Sequence, residues 1–150
     1  MSIAAKKRPK SARHRAREFV LQGLYAWLLD PREAAHIDSD LRIADGFAKS
    51  DVAYFDTLLP GIIGGYKMLS ETLSPCLDRS LAELSPVEQA ALLIGTYEFT
   101  HCLDIPYRVI INEAVELTKT FGSSEGYKFV NGVLDKLAMT LRSTEITHKG

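Results

Sequence analysis

The first seven charged side chains of this sequence are all cationic. Lys6, Lys7, Arg8, Lys10, Arg13, Arg15 and Arg17 precede the first acid, Glu18. The chain has 18 Lys+Arg and 19 Asp+Glu, so setting those seven aside leaves 11 basic against 19 acidic residues. A cationic arm on an acidic body suits a polyanionic partner, because each phosphate it neutralises releases condensed counterions. The same pattern also describes a solvated tail that binds nothing, and charge alone does not separate the two.

Two aromatic residues add a second kind of chemistry. At roughly 100° per residue, Tyr25 falls opposite the apolar stripe of its helix, on an outer face shared with Glu18 and Gln22. His14 and Arg15 precede them on that side. An outward ring beyond a run of arginines can stack on an unpaired base while the cations hold phosphates. Phe129 lies roughly 100° off the core stripe of the last long helix, one turn from Gly132, which would leave a face of the ring uncovered. Both rings have a plain alternative, burial under a neighbouring helix or loop. Glu125 has two readings as well: a dipole partner at a helix start, or an acceptor for the exocyclic amines of a base.

No catalytic constellation accompanies these groups. His14, His36, His101 and His148 are scattered, and no metalloprotease, nucleophile-elbow, P-loop or dinucleotide-binding signature is present. Glu113 and Glu116 share a helix face, but Lys119 lies one turn from Glu116, and Glu113, like Asn112, can bond to neighbouring helices. Neither a nucleophile–base pair nor a metal or cofactor motif is found. The two cysteines, Cys76 and Cys102, form no CxxC and suit a reducing, cytoplasmic setting. The basic N-terminus lacks an apolar segment to make it a secretory signal, and no apolar run reaches the roughly 18 residues of a membrane span.

The elements that must position these groups are helical. With 150 residues, 46% hydrophobic and 25% charged, the chain fits one soluble globular domain. Ala16, Phe19, Val20, Gly23, Leu24, Trp27 and Leu28 make one stripe of a helix starting near Ser11 and stopping before Asp30-Pro31. A weaker segment over Leu41 to Ala48 follows a polar loop. Ser50 is the expected cap of a helix from Asp51 toward Leu73, with a kink or break at Pro60 and the Gly61, Gly64, Gly65 cluster. Pro75 to Leu84 reads as one or two short turns. Ser85-Pro86-Val87-Glu88 is a helix start, with Glu88 able to reach back to the cap; Ala90 to Ile94, apolar on all sides, marks a central buried helix. Tyr107, Ile110, Ile111, Ala114, Leu117 and Phe121 form the stripe of the next helix, and Val130, Val133, Leu134, Leu137 and Leu141 that of the last. The expectation is an all-α bundle of about seven helices: a flexible basic tail over 1–10, one domain over 11–141, and a polar tail over 142–150.

Several blocks resemble a known family. Asp104-Ile105-Pro106-Tyr107-Arg108-Val109, Ile111-Asn112-Glu113-Ala114-Val115-Glu116-Leu117, Phe121-Gly122 and Lys128-Phe129-Val130-Asn131-Gly132-Val133-Leu134-Asp135-Lys136 closely resemble the NusB family of transcription antitermination factors. Arg13-His14-Arg15-Ala16-Arg17-Glu18 with Gln22-Gly23-Leu24-Tyr25 resembles its opening helix, and Leu84-Ser85-Pro86-Val87-Glu88 with Tyr97-Glu98 its middle. The resemblance runs from about residue 11 to residue 141.

It implies an all-helical protein of two small subdomains with no enzymatic activity. It further implies pairing with NusE, a ribosomal small-subunit protein, binding of single-stranded boxA RNA, and loading onto RNA polymerase with other Nus factors. The effect would be read-through of terminators, chiefly in ribosomal RNA operons. The family's RNA-contact positions correspond to Arg13, Arg15, Arg17, Tyr25, Glu125 and Phe129, with His14 in the same block and Lys10 in an extra basic tail as further candidates; Glu88 corresponds to a position facing the protein partner, with Glu83 a further candidate. Dimers that hide the RNA surface occur in the family, so a homodimer is a further expectation. His14 stands where arginine is usual and Glu125 where aspartate is common, and both bear on the strength of RNA contact. NusB-like domains also occur fused to ribosomal RNA methyltransferases; a 150-residue chain favours a stand-alone factor.

Overall fold

Ser11 starts the first helix, its hydroxyl accepting the His14 amide at 3.0 Å and satisfying a donor that the first turn would otherwise leave open. This helix, α1, spans Ala12–Leu29 and closes at Asp30, before Pro31. The computed structural model describes residues 10–149, with the side chains of residues 33, 148 and 149 outside that description. The tail expected over 1–10 therefore lies outside the described residues except for Lys10. After α1 come α2 (Ala34–Arg42), α3 (Val52–Gly64), α4 (Tyr66–Leu73), α5 (Pro86–His101), α6 (Tyr107–Phe121), α7 (Gly126–Leu141) and α8 (Ser143–Lys149). Among the described residues these eight helices and four short 3-10 turns are joined by loops, with no strand. The all-α class holds, with a count close to the one expected.

The central helix is α5. Ser85 accepts the Glu88 amide at 3.2 Å, Pro86 occupies the first turn, and every residue from Gln89 through Phe99 is buried. A helix apolar on all sides can be sheathed only by neighbours on all sides. Here α6 and α7 pack against it and each other, while α1, α3 and α4 close its other flank. The buried side chains form one continuous cluster, and each fully buried Leu, Ile or Phe contributes on the order of 1.5–3 kcal/mol. Two glycines let helices approach α5 or its partners closely. A methyl at Gly61 would stand 2.7–2.8 Å from the Tyr97 ring, and one at Gly95 would stand 3.0 Å from Leu134 Cδ1.

Three local expectations change. The weak segment over Leu41 to Ala48 is instead the end of α2, a loop and a 3-10 turn over Phe47–Lys49. The helix lies earlier because Asp30 accepts the Arg32 amide and starts a 3-10 turn that runs straight into α2. No α2 residue is buried, so the helix has no core stripe to read. Asp51, not Ser50, caps α3 by accepting the Tyr54 amide at 3.0 Å; the buried Ser50 hydroxyl donates to the Phe47 carbonyl. The break expected in this segment falls at Gly65, after a helix that runs through Pro60. Finally, the polar segment after Leu141 is tied to the core. Arg142 is 6% exposed and donates to the carbonyls of Glu98, Phe99, Cys102 and Ile105, satisfying the end of α5 before α8 begins.

Candidate nucleic-acid interface

The cationic end of α1 meets a set of carboxylates from its own body. Lys10 Nζ lies 2.9 Å from Glu18, and Arg13 Nε lies 3.7 Å from Asp51 with its guanidinium over the Tyr54 ring. His14 sits between Glu113 at 2.6 Å and Glu18 at 3.4 Å. Arg17 bonds Glu98 at 2.7 Å and Glu113 at 3.2 Å. Among the described residues of the arm, Arg15 alone has no carboxylate partner. Glu113 thus ties α6 to α1, and Glu116 pairs with Lys119 at 3.7 Å on the solvated face.

Arg17 stands apart from the other arginines of the block. The arginine block suggested three phosphate ligands, yet Arg17 is 3% exposed and turned into the core, where Glu98 is fully buried. The Tyr54 hydroxyl donates to the same Glu98 oxygen, while Glu98 Oε1 has no hydrogen-bond partner. Burial pushes the Glu98 carboxyl above its ordinary range, and Arg17 and Tyr54 pull it back only in part. Burial works against the Arg17 charge too, but Glu98 outweighs it and the guanidinium stays protonated. Burial and the adjoining Glu98 raise the Tyr54 phenol well above its usual value.

Tyr25 points outward. It is 41% exposed and lines an open hollow of about 410 Å³ with Leu21, Gln22, Val87 and Phe121. Phe121, assigned to the core stripe from spacing, is 37% exposed. It is the last residue of α6, beyond the final core layer, and the Gly122 that follows it was the signal that could have revealed this. A second hollow of about 260 Å³ surrounds Phe129, lined by Cys76, Asp78, Lys128, Gly132, Val133 and Lys136. The ring is half-buried, and the Arg79 guanidinium lies 5.9 Å from its centroid. A methyl at Gly132 would meet nothing within 4 Å, so that side of the hollow is open as the spacing suggested. Arg79 escaped sequence reasoning, because nothing local links it to a ring 50 positions on.

The loop joining α6 to α7 connects the two hollows. Val87 abuts Gly122, and the neighbouring Glu88 carboxylate stands 2.7 Å from where a Gly126 side chain would begin. Glu88 therefore faces the start of α7, where the helix dipole favours an anion, and no reciprocal bond to its own cap is formed. Glu83 accepts the Ser80 amide at 3.0 Å, in a capping box one turn earlier in the chain. Glu125 precedes α7 and pairs with Lys128 at 3.1 Å, leaving its carboxylate largely exposed. Among the described residues, no three His, Cys, Asp or Glu side chains are grouped to hold a metal ion, and no helix is long and apolar enough to cross a membrane.

The geometry thus presents a helical bundle with one aromatic hollow on the helix that carries the arginines and a second on α7. Residues 14–139 match the NusB family. Relatives named transcription antitermination protein NusB include one from Ralstonia pickettii, 60% identical over 95% of this chain and 92% of that protein. Another, from Cupriavidus pinatubonensis, is 58% identical over 95% of this chain and 85% of its own. Among solved structures, T. maritima NusB superimposes with a TM-score of 0.74 at 33% identity, covering 89% of this chain and 93% of that one. A structure of antitermination factors NusB and NusE in complex with dsRNA gives a TM-score of 0.72 at 23% identity over 84% and 95%. The fold is that of a NusB-type helical bundle. The chain belongs to the NusB family, a family of transcription antitermination proteins.

Proposed function

We propose that this chain is a non-enzymatic adapter that binds unpaired boxA RNA in the cytoplasm and passes it to the transcription machinery. Arg15, with Arg13 and Lys10, holds phosphates, and His14 adds a cation when protonated. Tyr25 and Phe129 stack on splayed bases, and Glu125 accepts from exocyclic amines. A NusE-like partner docks on the side carrying Glu83 and Glu88, and the pair acts on RNA polymerase with other Nus factors. Arg17 holds the arginine helix to the core instead of touching RNA. The observation that carries this reading is the outward Tyr25 ring on the helix of the unpaired Arg15. The NusB–NusE–dsRNA structure of a relative supports an RNA and a protein partner together.

Binding of a single-stranded boxA-like RNA by an Arg13→Ala/Arg15→Ala variant, measured across salt concentrations, tests it. Loss of two phosphate contacts flattens the log–log salt slope by about 1.4. An unchanged slope would count against phosphate contact by these residues. Equal affinity for duplex and single strand would favour a reader of RNA shape, because stacking needs unpaired bases. One observation favours a protein-only reading, in which the bundle dimerises and the arm only solubilises it: most described arm cations are already paired within the chain. A dimer in gel filtration that ignores added RNA would support that alternative.

A further inference from the structure

Along the outer seam between α6 and α7, we infer a docking groove for an extended, acidic peptide segment of a protein partner. The inference stands apart from the RNA-binding reading above. Arg108 and Asn112 lie one turn apart on α6, Asn131 and Asp135 one turn apart on α7, and all four line one hollow of about 270 Å³. All four are exposed, and among the described residues none of their side chains makes a hydrogen bond or an ion pair. The Arg108 guanidinium rests only over the Tyr107 ring, 5.2 Å from its centroid. Elsewhere on the surface, Arg32, Arg42, Arg79, Lys119 and Lys128 each meet a carboxylate at 3.7 Å or less. Arg108 and Asp135 share a hollow and yet leave both charges open to a ligand.

The spacing suits an extended backbone. Each carboxamide offers both donor and acceptor, as does each peptide unit of an extended chain. Four residues of helix separate the two groups on each wall by about 6 Å. Two residues of extended chain advance by about 6.6 Å, so alternate peptide units meet both pairs. A second hollow, of about 370 Å³, continues the groove: it shares Tyr107, Arg108 and Asp135 and adds Lys136, Met139 and Ile146. Met139 is 64% exposed, and with Ile146 it forms an apolar seat for one side chain of the peptide. Lys136, like Arg108, makes no ion pair among the described residues, so two open cations outnumber Asp135 and set an acidic partner. An oligonucleotide would meet the same cations but would place phosphate beside Asp135 and leave the Met139 seat unused. Met139 lies about 20 Å along α7 from Gly126, where Glu88 stands, so the groove is separate from the side proposed for a NusE-like partner.

The test follows backbone amide NMR shifts of the full chain with two synthetic nonapeptide pools. Both carry Leu, Ile, Phe or Met at the centre, flanked in one pool by Asp and Glu and in the other by Lys and Arg. The acidic pool shifts the amides around Arg108, Asn112, Asn131 and Asp135 and binds at least about five-fold more tightly than the basic pool. Arg108→Glu/Lys136→Glu, at two exposed positions, weakens the acidic pool by about five-fold or more. Asn112→Ala/Asn131→Ala weakens both pools, because it removes backbone contacts and not charge. Glu88→Ala leaves binding unchanged. Absence of binding, shifts confined to another surface, equal affinity for the two pools, or acidic-pool binding that survives Arg108→Glu/Lys136→Glu overturns the groove. Tighter binding of a single-stranded decauridine at the same amides overturns it in favour of a nucleic-acid contact.

Discussion

Glu98 shows how one buried carboxylate sets what the arginine helix can do. It is wholly enclosed, receives Arg17 and Tyr54 on one oxygen, and leaves the other unpaired. A buried ion pair adds little net stability while intact, yet losing one partner strands the other charge without solvent. Glu98→Ala therefore lowers stability by about 3–5 kcal/mol in urea denaturation, and the double variant Arg17→Met/Glu98→Leu recovers most of it. Because burial raises the Glu98 pKa, its folded-state contribution is full below the ordinary carboxylate range and is lost as pH rises through the elevated value. Wild type therefore loses stability relative to Glu98→Gln as pH increases. The outward aim of Tyr25 was legible because it depends on one helix and its period. The inward turn of Arg17 was not, since its partner lies 81 positions away and a charge run reads as a single class.

At the scale of elements, legibility followed apolar period. The helices α5, α6 and α7 bury strong stripes or whole circumferences and were readable, as were the Ser11 and Ser85 caps. The polar α2 was not, because its start is set by the Asp30 turn and not by a buried face. Nor was the anchoring of α8, where Arg142 satisfies carbonyls contributed by α5 and the turn after it. Close packing gives a paired prediction for two glycines within helices. Gly61→Ala pushes a methyl into the Tyr97 ring, so α3 and α5 must separate, at a cost of about 1–3 kcal/mol. Gly132→Ala meets open space on α7 and raises stability by about 0.5–1 kcal/mol through helix propensity. Thermal and urea unfolding of the two variants reads opposite signs.

Across the whole molecule the N-terminal charge is less available than its count suggests. Glu18, Asp51, Glu98 and Glu113 each hold a cation from α1 or its lead-in, so the acidic body partly neutralises the arm it carries. This compensation explains how a basic sequence block and an acidic domain coexist in one bundle, and under the proposed function it shifts the burden of RNA recognition toward the aromatic hollows. The hollows of Tyr25 and Phe129 flank the loop from α6 to α7, placing stacking surfaces on two sides of one connection. Tyr25 is exposed and makes no hydrogen bond to any described residue, so its removal leaves the core intact. The central claim is that unpaired RNA stacks on this ring, and the direct test is the affinity of Tyr25→Ala for a single-stranded boxA-like RNA. The account predicts a loss of about 1–3 kcal/mol in binding with unfolding unchanged; wild-type affinity in a folded Tyr25→Ala protein would contradict it.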